Sequence, residues 1–165
     1  IGAVNTICFE DGKRIGYNTD IFGFSESLKA SSINRIDSAM VLGTGGASKT
    51  IIYFCKKNNI PYKIVSRKKS NDYLSYKEIN HSFLRGNVLI VNCTPVGTYP
   101  DIDKCPNLPY NLLSKENILY DLVYNPSETL FIKKGKEMGC KTLNGYEMLK
   151  FQAEMSWNLW TKSTK

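Results

Sequence analysis

The sequence predicts an α/β fold built on a doubly wound parallel sheet. Short apolar segments alternate with helical segments from residue 38 onward, which is typical of parallel strands joined by helical crossovers. A glycine-rich turn separates the first of these strands from the next helix, and a hairpin pattern precedes them all. The 165 residues, of which 42% are hydrophobic, suffice for one domain with a sizeable core.

The predicted elements begin with the hairpin. Two strands are expected over 3–9 and 13–17, separated by an Asp-Gly turn. Thr19 and Asp20 then offer an N-cap for a helix over 21–28. These elements lie ahead of the parallel sheet.

The predicted sheet follows in short segments. Its strands cover 39–42, 62–65, 88–91, 118–122 and 141–143. Helices are predicted over 46–58, 73–79, 127–138 and 146–161. The segment 94–110 holds four prolines, too many for a helix or a strand, and a loop of that length in a compact domain is usually functional.

The net charge of +7 is concentrated in one segment. Residues 38–71 contain no acidic side chain and carry seven cations, which are Lys49, Lys56, Lys57, Lys63, Arg67, Lys68 and Lys69. In the rest of the chain, 15 cations balance 15 acids. The segment is therefore where nucleic acid, acidic lipid or a phosphorylated small molecule would bind, unless it is simply a solvated basic face.

The composition argues against a membrane protein, a secreted protein and a metalloprotein. No run approaches the roughly 18 apolar residues of a membrane span, and the first residues lack a signal-peptide pattern, so we expect a cytoplasmic protein. The five cysteines form no CxxC pair and are expected to be reduced. With His81 as the one histidine, no metal site is predicted.

The glycine-rich turn is the first signal of chemistry. Gly43 and Gly45 follow a predicted strand and precede a helix; the first permits a tight turn and the second lets a pyrophosphate approach the backbone. The third small position is Ser48 instead of glycine or alanine. The N–H groups and the positive end of the helix would hold the anion. We therefore predict a Rossmann-like fold with a dinucleotide bound at this turn.

The end of the second sheet strand indicates which dinucleotide binds. An NAD site usually carries a carboxylate there to hold the ribose 2′-OH, but this chain has Ser66, Arg67 and Lys68. A guanidinium can bind a 2′-phosphate with two hydrogen bonds and stack beside adenine. We predict NADP(H), with Arg67 as the principal contact and Ser66, Lys68 and neighbouring polar groups completing the pocket. An exposed basic loop is the alternative.

Six motifs together resemble the shikimate dehydrogenase family. In chain order they are Gly2-Ala3-Val4-Asn5-Thr6, Gly16-Tyr17-Asn18-Thr19-Asp20 with Gly23-Phe24, Leu42-Gly43-Thr44-Gly45-Gly46-Ala47-Ser48, Asn92-Cys93-Thr94-Pro95-Val96-Gly97, Tyr120-Asp121-Leu122-Val123-Tyr124-Asn125-Pro126, and Asn144-Gly145 with Met148-Leu149 and Gln152-Ala153. They cover nearly the whole chain, and the ordered set is far more specific than any one motif.

The resemblance implies an NADPH-dependent, reversible reduction of 3-dehydroshikimate to shikimate in aromatic amino-acid biosynthesis. It implies that Asp20 is catalytic, holding the family's catalytic lysine, and that it binds substrate together with Asn5, Tyr124 and Gln152. Amide side chains suit a polyhydroxylated ring because they both donate and accept hydrogen bonds. The implied cofactor contacts are Gly43, Thr44, Gly45, Gly46, Ala47, Ser66, Arg67, Lys68, Asn71, Leu122 and Gly145.

The resemblance also implies a division of the chain. Residues 1–19 would be the C-terminal edge of an N-terminal α/β substrate domain, so that the hairpin is its remnant. Residues 20–146 would form the NADP-binding domain, and 147–165 a helix that packs back toward the substrate domain. The family's catalytic lysine belongs to segments before the first motif, and Lys13, the lysine nearest to Asp20 in sequence, matches no motif. We expect this chain to bind NADP(H) without turning over shikimate.

Other interpretations stay open. The chain could be a non-catalytic NADP-binding sensor or interaction module, or a quinate/shikimate dehydrogenase with relaxed cofactor choice. A nucleic-acid or membrane partner is not expected, since no nucleic-acid-binding motif accompanies the basic segment; a homodimer or a fusion with other shikimate-pathway domains is left open. Locally, Asp20 could be a helix cap, Asn5 an edge residue, Gln152 a solvent-facing residue and Tyr124 the end of a turn.

Overall fold

The computed structural model describes residues 1–68 and 70–162, and it begins with an antiparallel hairpin. Strand β1 (Thr6–Glu10) pairs with β2 (Lys13–Tyr17) across a turn in which Asp11 and Gly12 have positive φ angles of 48° and 73°. Strand β1 begins three residues later than predicted. The Asn5 N–H still donates a hydrogen bond across to β2 (3.0 Å), so its side chain is held at the mouth of the hairpin.

Six parallel strands form the main sheet, which confirms the predicted fold class. They are β3 (Ser38–Leu42), β4 (Tyr62–Ser66), β5 (Leu74–Ser75), β6 (Val88–Asn92), β7 (Ile118–Asp121) and β8 (Lys141–Leu143). Their order across the sheet is β5-β4-β3-β6-β7-β8, and every pair is parallel. From β3 the chain builds toward one edge and then returns to build the other half from β6, so the sheet is doubly wound.

Within the part of the chain that the structure describes, four α-helices cover the sheet on both faces. They are α1 (Asp20–Ala30), α2 (Gly46–Lys57), α3 (Leu130–Glu137) and α4 (Tyr146–Lys162). One face packs against α1, α2 and α4, where Phe24 and Ile51 are fully buried, and the other packs against α3, where Phe131 is fully buried. Because both faces are covered, the central strands β3, β6 and β7 are almost wholly buried and mostly apolar, as a parallel sheet requires. Among the described residues, no helix has both the length and the apolar character that crossing a membrane needs.

The helix predicted over 73–79 is wrong. The chain there forms the short strand β5 and then a single 3-10 turn over Tyr76–Glu78. The Glu78 carboxylate accepts hydrogen bonds from the N–H and the hydroxyl of Ser75, both at 2.8 Å. This capping box closes one turn around Ser75, while Ser75 itself pairs with the end of β4, so strand pairing and capping together replace the helix.

The N-cap predicted for α1 is confirmed in position, at Thr19, but not in its capping bond. Thr19 occupies the cap position, but its side chain makes no capping hydrogen bond, and Asp20 is already the first helical residue. The Asn18 side chain instead accepts from the N–H of Ile21 (3.1 Å). The carboxylate of Asp20 is therefore not used as a cap.

Close packing of α1 on α4 brings three distant parts of the chain together. A Cβ on Gly23 would lie 2.5 Å from the Met148 carbonyl oxygen, so α1 approaches α4 this closely because residue 23 is glycine. The Trp160 indole N–H donates to the Ile7 carbonyl (3.0 Å), which ties α4 to the hairpin. The start of α1, the hairpin and α4 thus meet at one place. The domain boundaries given above stay a prediction.

Candidate functional site

A cleft of about 840 Å³ opens at the carboxyl end of the main sheet. It lies at the ends of the neighbouring strands β3 and β6, after which the chain continues toward opposite edges of the sheet. Doubly wound sheets bind ligands at this point. Its walls come from the ends of four strands and from the proline-rich loop. They are Gly43, Thr44, Gly45, Val65, Ser66, Arg67, Ser75, Tyr76, Lys77, Cys93, Thr94, Pro95, Val96, Cys105, Pro106 and Asn107.

The glycine turn leaves the N-terminus of α2 open. Gly43 has a φ of 110°, and a Cβ there would lie 3.0 Å from the Thr94 side chain, so both the backbone and the space favour glycine. At Gly45 and Gly46 a Cβ would meet nothing within 4 Å. Gly45 is the cap residue and no side chain caps the helix. The first N–H groups of α2 are therefore unshielded, which is the arrangement that binds a phosphate.

Ser48, the departure from the usual glycine or alanine, has a structural role. Its side chain is buried and donates a hydrogen bond to the carbonyl oxygen of Gly45 (2.6 Å). This bond fixes the glycine turn to the first turn of α2. The substitution thus leaves the anion site in place.

Arg67 lies at the other end of the cleft, just after β4. Its side chain is exposed, and it is close enough to Tyr76 for its charge to affect that hydroxyl. Burial raises the pKa of Tyr76, and the Arg67 charge acts in the opposite direction. The glycine turn, Arg67 and Tyr76 all line the same cleft.

A second cluster joins Asn5, Asp20 and Gln152. The Asn5 amide N–H group donates to the Asp20 carboxylate (2.9 Å) and to the Gln152 side-chain oxygen (3.3 Å). The same group also donates to the Thr19 hydroxyl (2.9 Å), while the Asn5 oxygen accepts from the Thr19 N–H (2.8 Å). These bonds fix which way the amide faces. Two amide hydrogens serve three acceptors, so a ligand hydroxyl can take over one acceptor without loss.

Three hydroxyl groups support this cluster from below. The Ser156 hydroxyl lies 2.7 Å from that of Thr6 and 2.9 Å from that of Thr19, and all three residues are buried. They come from α4, β1 and the residue before α1. Because buried hydroxyls must be paired, these contacts fix the relative positions of the three elements that carry the cluster.

Partial burial affects the protonation of the Asp20 carboxylate. Burial raises its pKa, and the hydrogen bond from Asn5 acts in the opposite direction. Among the described residues, no lysine or arginine forms an ion pair with it. A partly buried carboxylate without a counter-charge is suited to hold a cation or a ligand hydroxyl.

A buried carboxylate between the strand ends holds the cleft wall. Asp121 accepts hydrogen bonds from the Asn92 side chain (2.9 Å), the Val123 N–H (3.1 Å) and the Thr129 hydroxyl (2.6 Å). Asn92 in turn accepts from the Thr94 hydroxyl (2.6 Å) on the cleft wall. Burial raises the pKa of Asp121 to about 6 despite these bonds. Neither Asp121 nor Asn92 was predicted to have a role, although polar residues at the ends of buried strands are a signal of a site at that edge of the sheet.

The described residues contain no group of three His, Cys, Asp or Glu side chains that could hold a metal ion. The five cysteines are free thiols. Two of them, Cys93 and Cys105, line the cleft.

Comparison with known proteins finds relatives among the shikimate dehydrogenases. No family model matches the chain. The shikimate dehydrogenase (NADP(+)) of Methanococcus maripaludis strain C6 is 37% identical to it over 177 residues, an alignment that covers 98% of this chain and 63% of the relative. The chain is a homologue of the shikimate dehydrogenases. It spans about 63% of the length of this relative.

Solved shikimate dehydrogenases share the fold. The Thermus thermophilus shikimate 5-dehydrogenase, solved in complex with NADP(H) and shikimate, has a TM-score of 0.85 at 32% identity, covering 98% of this chain and 63% of that one. A chorismate mutase/shikimate 5-dehydrogenase fusion protein from Clostridium acetobutylicum also has a TM-score of 0.85, at 34% identity, covering 98% of this chain and 61% of that one.

The structure gathers part of the cofactor set implied by the shikimate dehydrogenase motifs. Five residues line the cleft, namely Gly43, Thr44, Gly45, Ser66 and Arg67. Six do not, namely Gly46, Ala47, Lys68, Asn71, Leu122 and Gly145. Gly145 instead contacts Leu122 so closely that a Cβ would overlap the Leu122 carbonyl group. Lys69 of the basic segment lies outside the described residues.

The substrate set implied by the shikimate dehydrogenase motifs is gathered less completely. Asn5 is hydrogen-bonded to both Asp20 and Gln152, whereas Tyr124 is 49% exposed and makes no hydrogen bond to these three in the described structure. Among the lining residues that the sequence did not assign are Ser75, Tyr76 and Lys77, where a helix was predicted. The Ser-x-x-Glu spacing of the capping box was the signal that could have found this turn.

Proposed function

We propose that this chain is the NADP(H)-binding part of a shikimate dehydrogenase, which reduces 3-dehydroshikimate reversibly to shikimate. The observation that carries the proposal is the uncapped, glycine-lined N-terminus of α2 in one cleft with Arg67. Homology supports it, because a relative is named as NADP(+)-dependent and a related structure was solved with NADP(H) and shikimate.

The two ends of the cleft suit the two anionic parts of NADP(H). The first N–H groups of α2 would hold the pyrophosphate, and Gly45 and Gly46 would let it reach the backbone. Arg67 would bind the 2′-phosphate with two hydrogen bonds, with Ser66 beside it. When bound, the reduced cofactor supplies a hydride to the ring ketone.

The second cluster suits a hydroxylated ring. Asn5 and Gln152 offer both donors and acceptors, and Asp20 offers an acceptor for a ring hydroxyl. Reduction of a ketone leaves negative charge on its oxygen, which must receive a proton. Asp20 would hold the charged group that donates it, and the raised pKa of Asp20 favours such a partner because a cation would stabilise the carboxylate.

We further propose that the 165-residue chain binds NADP(H) without turning over shikimate. Among the described residues, no lysine ammonium pairs with Asp20. Lys13 lies exposed on β2 and matches none of the motifs. A second chain or a longer polypeptide would have to supply the proton donor. The related protein from Clostridium acetobutylicum is a fusion with chorismate mutase, and for this chain a fusion or a homodimer stays a prediction.

The cofactor assignment is tested by calorimetric titration of Arg67→Ala. We expect the affinity for NADPH to fall at least about tenfold, with a smaller change for NADH, because the charge and the paired hydrogen bonds of the guanidinium serve only the 2′-phosphate. Arg85→Ala is the matched control, since Arg85 is exposed and does not line the cleft. An unchanged affinity for NADPH in Arg67→Ala would refute the assignment. Shikimate-dependent reduction of NADP+ by the wild-type chain alone would refute the proposed inactivity.

A further inference from the structure

The short strand β5 places a second segment beside Arg67. Ser75 is the register partner of Ser66 in the parallel pairing of β4 with β5. The residues that follow the two serines therefore leave the sheet side by side. Arg67 follows Ser66, and Tyr76 and Lys77 follow Ser75, and all of these residues line the same cleft.

The turn that carries Lys77 is fixed on both sides. Tyr76, before it, packs against the apolar core of that face of the sheet. Glu78, after it, is bound by the N–H and hydroxyl of Ser75 at 2.8 Å. Lys77 is thus held at the cleft by a short, constrained turn, although its side chain is exposed.

The charges in the cleft single out Lys77. Among the described residues that line it, Arg67 and Lys77 are the two cations, and none is an acid. Within residues 1–68 and 70–162, Lys77 forms no ion pair. Lys68, which the sequence favoured as a second contact, does not line the cleft.

We propose that Lys77 is the second cation of the 2′-phosphate pocket and that Arg67 and Lys77 together determine the preference for NADPH over NADH. A phosphate monoester carries nearly two negative charges at neutral pH. Arg67 presents a planar pair of donors, and Lys77 adds a point charge from the segment that follows the neighbouring strand β5. NADH, which has a neutral 2′-hydroxyl, gains little from either cation. The inference rests on the proposed cofactor site.

The test is a calorimetric titration of Lys77→Gln with NADPH and with NADH. We expect the affinity for NADPH to fall about fivefold and that for NADH to change less than about twofold, since one charge-assisted contact to the phosphate is lost. Lys77→Arg keeps the charge and should retain most of the affinity. Lys115→Gln is the matched control, because Lys115 is exposed, does not line the cleft and precedes β7, in the half of the sheet away from β5.

The outcomes separate this inference from the proposed function. If wild type prefers NADPH and Arg67→Ala loses the preference while Lys77→Gln keeps it, the role of Lys77 is refuted and the cofactor site stands. An equal loss for NADPH and NADH in Lys77→Gln would also refute the role, because it would show an effect unrelated to the 2′-phosphate. If wild type binds both dinucleotides equally, the proposed cofactor preference fails together with the inference.

Discussion

The cluster of Asn5, Asp20 and Gln152 and the cleft beside Gly43 are built by different means. In the cluster, each side chain is fixed by hydrogen bonds to residues far away in the sequence. In the cleft, backbone conformation and missing Cβ atoms create the space, and Arg67 and Lys77 reach into it from exposed positions. The side chains of the cluster are thus already hydrogen-bonded to one another. In the cleft, the N–H groups at the start of α2 and the cations Arg67 and Lys77 are available to a ligand.

This difference predicts separate consequences for stability and binding. Substitutions in the cluster should change the free energy of unfolding, because buried or half-buried partners lose their hydrogen bonds. Substitutions of exposed residues in the cleft should change ligand affinity and leave the free energy of unfolding nearly unchanged.

The largest expected effect is that of Asn5→Asp. The new carboxylate would replace the donor that faces the Asp20 carboxylate at 2.9 Å, so two negative groups would meet. We expect a loss of about 3 kcal/mol in the free energy of unfolding at about pH 8 and a smaller loss at about pH 5, where protonation relieves the repulsion. Urea denaturation at both values measures it.

The same chemical change in the cleft is the matched control. Asn107 is exposed and lines the cleft, so Asn107→Asp should change the free energy of unfolding by less than about 0.5 kcal/mol. It should weaken NADPH binding by adding an anion to a wall that has none. Equal destabilisation by the two substitutions would contradict the contrast between cluster and cleft.

The next largest effect is the pH dependence that Asp121 confers. Its folded-state pKa of about 6 lies above the ordinary value of 3.8, so the folded protein binds this proton more tightly than the unfolded chain does. The contribution of Asp121 to stability is therefore greatest below the ordinary value and falls as pH rises through the folded value, by on the order of 2 kcal/mol. In Asp121→Asn this fall should be absent.

Asp37 provides a control of opposite sign. Hydrogen bonds from Asn87 and Arg35 lower its pKa to about 2, so its stabilising contribution is present above the ordinary value and is lost as pH falls through the folded value. Unfolding curves of Asp121→Asn and Asp37→Asn against pH should therefore depart from wild type in opposite directions. Parallel departures would show that the assigned cause of the Asp121 shift is wrong.

Controls aside, the smallest expected effect on stability is that of Gly45→Ala. A Cβ there meets nothing within 4 Å, so the free energy of unfolding should change by less than about 1 kcal/mol. The methyl group would nevertheless occupy the approach to the N–H groups of α2, and the affinity for NADPH should fall at least about tenfold. Gly43→Ala, with a φ of 110° and a tight contact to Thr94, should destabilise the fold instead.

The sequence predicted features that depend on local patterns. Alternating apolar and helical segments indicated the sheet, and glycines after a strand indicated the turn. The strand β5 was missed because two residues carry no periodicity, and their pairing with β4 is a tertiary contact. With β5 missed, Lys77 was missed as well.

In the cluster of Asn5, Asp20 and Gln152, too, the tertiary contacts could not be predicted from the sequence. The motifs supplied Asn5, Asp20 and Gln152, but no pattern in the sequence reveals that the Thr6 and Ser156 hydroxyls, 150 residues apart, lie 2.7 Å from each other. Such contacts depend on how α4 crosses α1 at Gly23, which is set by the packing of the whole fold.

The most direct test is the calorimetric titration of the wild-type chain with NADPH and with NADH. The account predicts saturable binding of both at one site, with NADPH bound at least about tenfold more tightly because Arg67 and Lys77 contact its 2′-phosphate. Equal affinities for the two dinucleotides, or no binding of NADPH, would contradict it.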